Sequence, residues 1–231
     1  MSPTPPAATA ATQLPSAVPA VSGPILAELR ELAEHAPGRA RVEGWRYLRE
    51  LSAADRRDQI GALFAAGTRP EQLDGAYEGL IVGKLFNVPE ATLANPLLAI
   101  NPTWRGKTFN AESGTGFNRL IPLARYAMQV IAPLYRGLRR VGPEIVGFDF
   151  RYSADVGLVT PKIPVIALDY GIEEYCNPSV RTFPIKRTRD EIVELLPGLY
   201  LGRALLTMHT GEIRTIAHFA LRHFENEEVR S

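Results

Sequence analysis

The sequence predicts an α+β protein in which short N-terminal helices precede an antiparallel β-sheet or small barrel with one inserted long helix. Helical hydrophobic patterns occupy the first third of the 231 residues, and alternating strand patterns occupy the last third. Short links join most of the strands, which favours antiparallel pairing. Because strands and helices do not alternate regularly, the pattern argues against a doubly wound parallel sheet.

Length and composition indicate one folded domain behind a tail. Residues 1–23 are rich in Pro, Ala, Thr and Ser, and we expect them to be disordered because they bury too little apolar surface. Residues 24–231 are predicted to form a single domain, with a helical cap over 24–72 and a β-rich, barrel-like part over 73–224. Hydrophobic residues make up 45% of the chain, as in ordinary globular proteins.

Charge and cysteine content argue against several kinds of partner. The net charge of +1 gives the whole molecule no general attraction to nucleic acid. No apolar stretch is long enough for a membrane-spanning helix, and the single cysteine, Cys176, has no second thiol in the chain. These features predict a cytoplasmic protein with no nucleic-acid partner and no membrane span, and they leave the oligomeric state open.

The helical cap is predicted to contain three helices. The first begins at Pro24, because proline is favoured in a first helical turn, and a second short helix lies around Trp45. Ser52 and Asp55 have the spacing of a capping box, which predicts a third helix that ends at Gly67.

The middle of the chain is predicted to contain two strands and one long helix. The strands cover residues 75–86 and 103–109. The longest helical pattern covers residues 120–138, and Pro133 is expected to kink it. The buried side of this helix is expected to carry Leu123, Ala127, Ile131, Leu134 and Leu138.

The last third is predicted to be a series of strands. They cover residues 145–152, 162–170 and 181–185, followed by a hairpin of 199–208 and 213–224, with a brief helical turn at 189–195. The polar side of these strands is expected to face solvent with Asp149, Arg151, Arg203, Arg214, His218 and Arg222.

Common signatures of nucleotide, metal and hydrolase chemistry are missing from the sequence. It contains no Walker-type phosphate loop, no Gly-x-Gly-x-x-Gly, no His-Glu-x-x-His and no Gly-x-Ser-x-Gly. His218 and His223 are five residues apart and therefore face opposite sides of a strand, which is poor geometry for one metal. We therefore predict no metal site and no cofactor.

Polar residues at the ends of apolar strands are the candidates for catalysis. Asp169 and Tyr170 follow the apolar run 163–168, where a carboxylate is costly to bury without a partner. With Tyr200 they form a candidate acid–base group, provided that the strands enclose a pocket. The alternative is that the polar residues are the wet face of a sheet.

Aromatic residues are abundant in the predicted strands. Such residues fill cores more often than they bind ligands, but in a small barrel the core and the ligand cavity share one surface. The candidate ligand-binding residues are Tyr77, Trp104, Phe109, Phe148, Phe150 and Tyr152.

Two short motifs resemble those of a known family. The chain reads LDGAYEG over residues 73–79 and WRGKTF over residues 104–109, and this pair is similar to the opening strands of small lipocalin-like barrel proteins of the GXWXG kind. Tyr77 stands where that family usually has Trp, and the helix predicted over 120–138 departs from a plain barrel. Over residues 73–224 the resemblance implies a lipocalin-like (calycin) barrel with a cavity for an apolar small molecule.

Three functions of different classes remain open. The first is the binding of a hydrophobic small molecule, fatty acyl or polyketide-like, and a solidly filled interior would count against it. The second is a cofactor-independent barrel enzyme of the isomerase or cyclase type, and an Asp169 that faces water would count against the Asp169–Tyr170 version of it. The third is a protein interaction module that uses the N-terminal helices and the tail.

Overall fold

The computed structural model describes residues 22–84, 104–180 and 184–223, and its element order confirms the predicted fold class. The helices are α1 (Ser22–His35), α2 (Pro37–Ala53), α3 (Arg57–Ala65) and α4 (Ala124–Ile131). The first strands are β1 (Gly75–Val82), β2 (Trp104–Asn110), β3 (Thr115–Leu120), β4 (Arg139–Val141) and β5 (Glu144–Val156). The last strands are β6 (Pro164–Asp169), β7 (Thr188–Leu196), β8 (Leu199–Thr207) and β9 (Ile213–His223).

Eight of the nine strands form a closed antiparallel barrel. The order of hydrogen-bonded neighbours is β3-β2-β1-β9-β8-β7-β6-β5, and β5 pairs back onto β3. This last pairing runs from Thr115 opposite Arg151 to Leu120 opposite Ile145. The short strand β4 pairs only with the beginning of β5. Closure matters because it gives each of these eight strands a hydrogen-bonded neighbour on both sides.

Alternation of side chains along the strands produces two buried clusters, one on each side of the barrel wall. The interior cluster includes Tyr77, Phe109, Phe148, Phe150, Ile166, Leu168, Tyr170, Ile192, Tyr200, Phe219 and Leu221. The helix-facing cluster includes Leu48, Ile60, Leu63, Phe64, Val193, Leu199, Leu201 and Ala220. Helices α1–α3 contact the outer surface of β1, β7, β8 and β9, so these strands are covered on both faces.

The three predicted N-terminal helices are present, but the predicted capping box of Ser52 and Asp55 does not form. Pro37 occupies the first turn of α2, where its missing N–H costs nothing. Ser52 lies inside α2, and its Oγ accepts a hydrogen bond from the N–H of Gly83 at 2.8 Å. Asp55 instead pairs with Arg57. Ser52 therefore ties the helix to the end of β1 and does not begin α3.

The long helix predicted over residues 120–138 is also wrong. Leu120 is the last residue of β3, and α4 has only eight residues. Pro133 follows its end and cannot continue the i to i−4 hydrogen-bond ladder. The side that α4 buries carries Ala124 and Met128. Three of the residues expected on the buried side are exposed, namely Leu123, Ile131 and Leu134.

In the last third, strands β5, β6, β8 and β9 confirm the prediction with shifted ends, whereas three details are wrong. Residues 189–195 belong to β7, which pairs with both β6 and β8, and do not form a helical turn. Arg203 and His218, expected to face solvent, are buried on the helix-covered side. Of the strand predicted over 181–185, residues 181–183 lie outside the described part, and Ile185–Arg187 form a 3-10 turn.

Some predictions fall on residues that are not described. These are nearly all of the N-terminal tail, the end of the strand predicted over 75–86, and residues 103 and 224. Within the described ranges, none of the helices combines the length and the apolar character that a membrane span requires.

Candidate functional site

Four polar side chains meet inside the barrel, and we call them the polar centre. They are Lys107 in β2, Asn118 in β3, Tyr170 immediately after β6, and Asp190 in β7. Each of these residues is no more than 6% exposed. Charged groups are rarely buried to this degree unless hydrogen bonds and a counter-charge replace their water.

The amine of Lys107 is fully satisfied within the polar centre. Its Nζ donates to Asn118 Oδ1 at 2.9 Å and to the Tyr170 hydroxyl at 2.6 Å. It also lies 2.9 Å from Asp190 Oδ2. An ammonium has three N–H donors, and three acceptors surround this one. The geometry therefore describes a protonated lysine paired with an ionised aspartate.

Tyr170 links the two charges. Its hydroxyl accepts from Lys107 and donates to Asp190 Oδ2 at 2.8 Å. Burial raises the pKa of this hydroxyl well above its ordinary value, and the Asp190 charge adds to the effect. Burial also lowers the pKa of Lys107, while the Asp190 carboxylate opposes that change. Tyr170 is thus a neutral phenol at physiological pH.

A bulge in β5 helps to position Asn118. Phe148 has a positive φ of 52°, and the register between β3 and β5 shifts at this point. The Phe148 carbonyl accepts from Asn118 Nδ2 at 3.0 Å, while its N–H donates to the Tyr135 hydroxyl at 2.7 Å. Bulges frequently aim backbone groups beside functional sites. Here the bulge fixes the amide whose oxygen faces Lys107.

Trp104 extends the network towards one end of the barrel. Its Nε1–H donates to Asn118 Oδ1 at 2.9 Å, on the same oxygen that accepts from Lys107. Trp104 is the first residue of β2 and is only half-buried. Its ring lies over Gly79, where an added Cβ would come within 2.5 Å of the indole. The glycine in β1 therefore makes room for the ring.

Aromatic rings enclose the Lys107 ammonium. Its Nζ lies 5.1 Å from the ring centroid of Phe219 and 5.2 Å from that of Phe150. The rings of Tyr170 and Trp104 are at 5.3 Å and 5.6 Å. Cations at such distances are attracted by the ring quadrupole, and more strongly where water is excluded. The attraction to these rings offsets part of the cost of burying the ammonium. The same rings form an apolar wall around the site.

A second group of polar atoms surrounds Tyr77. The rings of Tyr77 and Tyr200 meet edge to face with centroids 5.5 Å apart. Burial raises the pKa of the Tyr200 hydroxyl, which also hydrogen-bonds to Tyr77 and Glu194. Tyr152 donates to the carbonyl of Leu73 at 2.7 Å, and burial raises its pKa to about 12. Burial also raises the pKa of Tyr77, whose hydroxyl accepts from the N–H of Asp74, so all three tyrosines are neutral at physiological pH.

The structure brings the predicted ligand-binding residues together. All of them belong to, or pack against, the interior cluster: Tyr77, Trp104, Phe109, Phe148, Phe150 and Tyr152. Tyr170 lies in the polar centre, whereas Tyr200 contacts Tyr77.

The predicted pair of Asp169 and Tyr170 does not form. Asp169 is exposed, and its Oδ1 accepts from the N–H of Gly171 at 2.7 Å. Since neighbouring strand residues face opposite sides, only Tyr170 points into the barrel. The carboxylate that meets Tyr170 is Asp190.

Three members of the polar centre were not predicted from the sequence. Asp190 was missed because residues 189–195 resembled a helical turn. Lys107 and Asn118 looked like ordinary surface residues, although Lys107 lies two positions before Phe109 and therefore shares its face of the strand. The sequence pattern that could have identified Lys107 is a polar residue on the same strand face as buried aromatic residues.

Two surface crevices are present, and neither opens into the polar centre. One, of about 510 Å³, is lined by Val159 and residues 212–215. The other, of about 350 Å³, lies between α1 and the β7–β8 turn. None of their lining residues belongs to the interior cluster. Around the Lys107 ammonium, the nearest groups are its three polar acceptors and the four aromatic rings.

Within the described ranges, no group of three or more His, Cys, Asp or Glu side chains is arranged to hold a metal ion. Comparisons of the chain with protein-family models, with curated proteins and with solved structures found no match.

Proposed function

We propose that this protein binds a hydrophobic small molecule with a neutral polar head group, and that the polar centre contacts the head. The observation that carries the proposal is the convergence of Lys107, Asn118, Tyr170 and Asp190 inside an aromatic-lined closed barrel. Ligand sites are typically apolar with a few converging polar groups. The resemblance of the motifs at residues 73–79 and 104–109 to small lipocalin-like proteins points the same way.

Charge balance favours a neutral head group. Lys107 and Asp190 already neutralise each other at 2.9 Å. A ligand carboxylate beside them would leave a net negative charge where water is excluded, which is costly. A hydroxyl or carbonyl adds no charge. This argument favours alcohols, esters or polyketide-like molecules over free fatty acids.

Trp104 is the side chain that the ligand would replace. Of the four rings around Lys107, it alone is half-buried, whereas Phe150, Tyr170 and Phe219 are buried. Moving the indole would free Asn118 Oδ1, which a ligand hydroxyl could then use as an acceptor. Acceptors and aromatic rings already enclose the Lys107 ammonium, so a head group can reach it only if one of these side chains moves. The proposal is therefore binding by displacement of Trp104.

A direct test compares two fluorescent chains that differ only in the head group, cis-parinaric acid and cis-parinaryl alcohol. We expect the wild-type protein to bind the alcohol at least about tenfold more tightly, a difference of about 1.4 kcal/mol. Asp190→Asn keeps the shape of the side chain but removes the negative charge. It should therefore reduce or invert the preference, a result that an unfolded variant cannot imitate.

Asp169→Asn is the matched control, because it makes the same chemical change at an exposed carboxylate. It should leave the preference unchanged. Binding of neither probe to the wild type would overturn the proposal, and tighter binding of the acid would overturn the neutral head group. Trp45→Phe leaves Trp104 as the only indole, so a change in its emission on binding would report the displacement.

A cofactor-independent enzyme is the second candidate, now with Lys107, Tyr170 and Asp190 in place of Asp169. The observation that favours it is the direct contact of Tyr170 with both charges, which suits proton transfer. The same titration separates the two candidates. Mass spectrometry of the recovered alcohol would show an unchanged mass after simple binding and an altered product after catalysis.

A further inference from the structure

A strongly apolar surface lies on α4 and the residues around it. Six of the eleven exposed large hydrophobic side chains of the described residues occur between β3 and β5: Leu123, Tyr126, Val130, Ile131, Leu134 and Val141. Val130 is 84% exposed and Leu134 is 87% exposed. A concentration of exposed apolar side chains in one segment is typical of interaction sites in soluble proteins. We call these six residues the apolar face.

The opposite side of α4 fixes where this face points. Ala124, Met128 and Ala132 belong to the interior cluster and follow one another at a spacing of four residues. The segment leaves β3 at Leu120 and returns to β5 at Glu144, so it lies at the barrel end where β3 stops and β5 starts. Val130 and Leu134, two residues on from Met128 and Ala132, therefore point away from the barrel.

The charged residues of the segment that carries the apolar face are all of one sign. Between Leu120 and Glu144 the chain contains four arginines and no acidic residue, although the whole chain has a net charge of only +1. The arginines are Arg125, Arg136, Arg139 and Arg140.

One of these four charges is neutralised and three are not. Arg139 pairs with Asp149, at 2.9 Å. Arg136 and Arg140 donate to backbone carbonyls, and within the described ranges no carboxylate pairs with them or with Arg125. Exposed arginines and exposed aliphatic side chains therefore occupy the same segment of the chain.

We propose that the apolar face and its arginines dock the protein onto an anionic lipid bilayer. Short amphipathic segments with an apolar side and a basic rim lie in the membrane interface, where the apolar residues enter the acyl region and the cations meet anionic headgroups. An eight-residue helix is too short to span a bilayer and would lie parallel to it. Docking would place the end of the barrel against the membrane.

Vesicle co-sedimentation tests the proposal with the full-length protein. We expect binding to phosphatidylcholine vesicles that contain phosphatidylserine, weaker binding to phosphatidylcholine alone, and a loss of binding as salt rises, because salt screens the arginines. Val130→Asp with Leu134→Asp should reduce partitioning about tenfold or more, since it puts two anions in the interface. Both positions are exposed, so the fold should tolerate the change.

The matched control is Val42→Asp with Val156→Asp, which adds the same charges at exposed valines outside this segment. It should bind vesicles nearly as well as the wild type. Absence of binding to the anionic vesicles, equal binding by the Val130/Leu134 variant, or equal loss in the control would each overturn the proposal.

A second copy of the chain is the competing occupant. Size-exclusion chromatography with light scattering would reveal a wild-type dimer that the Val130/Leu134 variant converts to monomer, and that result would also overturn membrane docking. The vesicles carry no parinaryl ligand, so this experiment and the ligand titration fail independently.

Discussion

At the scale of single residues, Lys107 shows how a barrel interior can hold a charge. Removing a lysine from water costs several kcal/mol, and that cost is offset only where the geometry is good. Here the ammonium has three acceptors, one of them a carboxylate, and four aromatic rings. Its partners come from distant parts of the chain; Tyr170, for example, is 63 residues away. The centre therefore exists only when the barrel is closed.

A second buried titratable residue, His218, lies on the helix-covered side of the wall. Burial, with the nearby guanidiniums of Arg203 and Arg57, lowers its pKa to about 4 from the ordinary histidine value of 6.5. Arg203 itself is held by Glu191 at 2.6 Å and lies over the ring of Phe64. A positive charge on His218 would therefore be placed beside other positive charges.

The pKa of His218 predicts a specific loss of stability in acid. Above about pH 6.5 the residue is neutral in both states and contributes nothing. As the pH falls from 6.5 to about 4, His218 is protonated in the unfolded chain but remains neutral in the native state. The free energy of unfolding therefore decreases across this interval. At pH 5 the loss is about 2 kcal/mol. Urea unfolding at pH 7 and pH 5 should show this component in the wild type and not in His218→Gln.

The control for this prediction is His209→Gln, because His209 is exposed in the β8–β9 turn. Its loss of stability between the two pH values should match that of the wild type. Equal losses in the wild type and His218→Gln would show that His218 does not carry the effect.

At the scale of elements, β1 and β2 depend on one glycine. The register between β2 and β3 is irregular between Trp104 and Gly106. Gly106 has a φ of 138°, and a Cβ there would lie 2.0 Å from the carbonyl oxygen of Tyr77 in β1. That distance is impossible without moving backbone. The glycine thus permits the bend that brings Trp104 over the polar centre.

Two glycine substitutions should therefore change the free energy of unfolding in opposite directions. Gly106→Ala should destabilise the protein by about 2–4 kcal/mol, since strand backbones must separate. Gly61→Ala in α3 meets no atom within 4 Å and should stabilise the protein by about 0.5–1 kcal/mol through helix propensity. Urea unfolding of both variants measures the difference. A Gly106→Ala protein as stable as the wild type would contradict the role assigned to the close approach.

The elements that could be predicted from the sequence are those whose pattern is local. Helices α1–α3 and the β8–β9 hairpin have clear hydrophobic periodicity, and their existence is confirmed. Strand β7 was missed because Arg189, Asp190 and Glu191 look unsuitable for a buried strand. Their partners come from other strands: Glu191, for example, is held by Arg203 of β8. Such tertiary pairing overrides local propensity.

The same distinction explains how much of the site could be predicted. The six aromatic residues were found because aromatic side chains in strands of a small barrel point to its interior. The polar centre was not found, because each of its members is ordinary in isolation and only their meeting is informative. Asp169 was chosen over Asp190 because it is next to Tyr170 in the chain. Asp190 comes beside Tyr170 only through the pairing of the neighbouring strands β6 and β7.

At the scale of the whole molecule, the barrel wall is covered unevenly. Helices α1–α3 make their main contacts with β1 and β7–β9, and Val165 and Ala167 of β6 belong to the same helix-facing cluster. Nearly every residue of β8 is consequently buried, whereas β3 alternates buried with partly exposed residues. Strands buried on both faces read as continuous apolar runs, and the sequence of β8 shows this. One half of the barrel wall therefore packs against apolar side chains on both its inner and outer faces, whereas the other half does so only on its inner face.

This asymmetry predicts where the barrel opens first. Amide hydrogen exchange should be slowest in β7, β8 and β9 and faster in β2 and β3, because opening the covered strands also exposes the helix-facing cluster. Leu48→Ala removes a buried side chain of that cluster, at a cost of about 2–5 kcal/mol. It should speed exchange in β7–β9 towards the rate of β2 and β3, whereas Val42→Ala, at an exposed site on the same helix, should not. If amide exchange is equally slow in all eight strands of the wild-type barrel, the helices add no protection. Closure, which gives each strand a hydrogen-bonded neighbour on both sides, would then be what stabilises the wall.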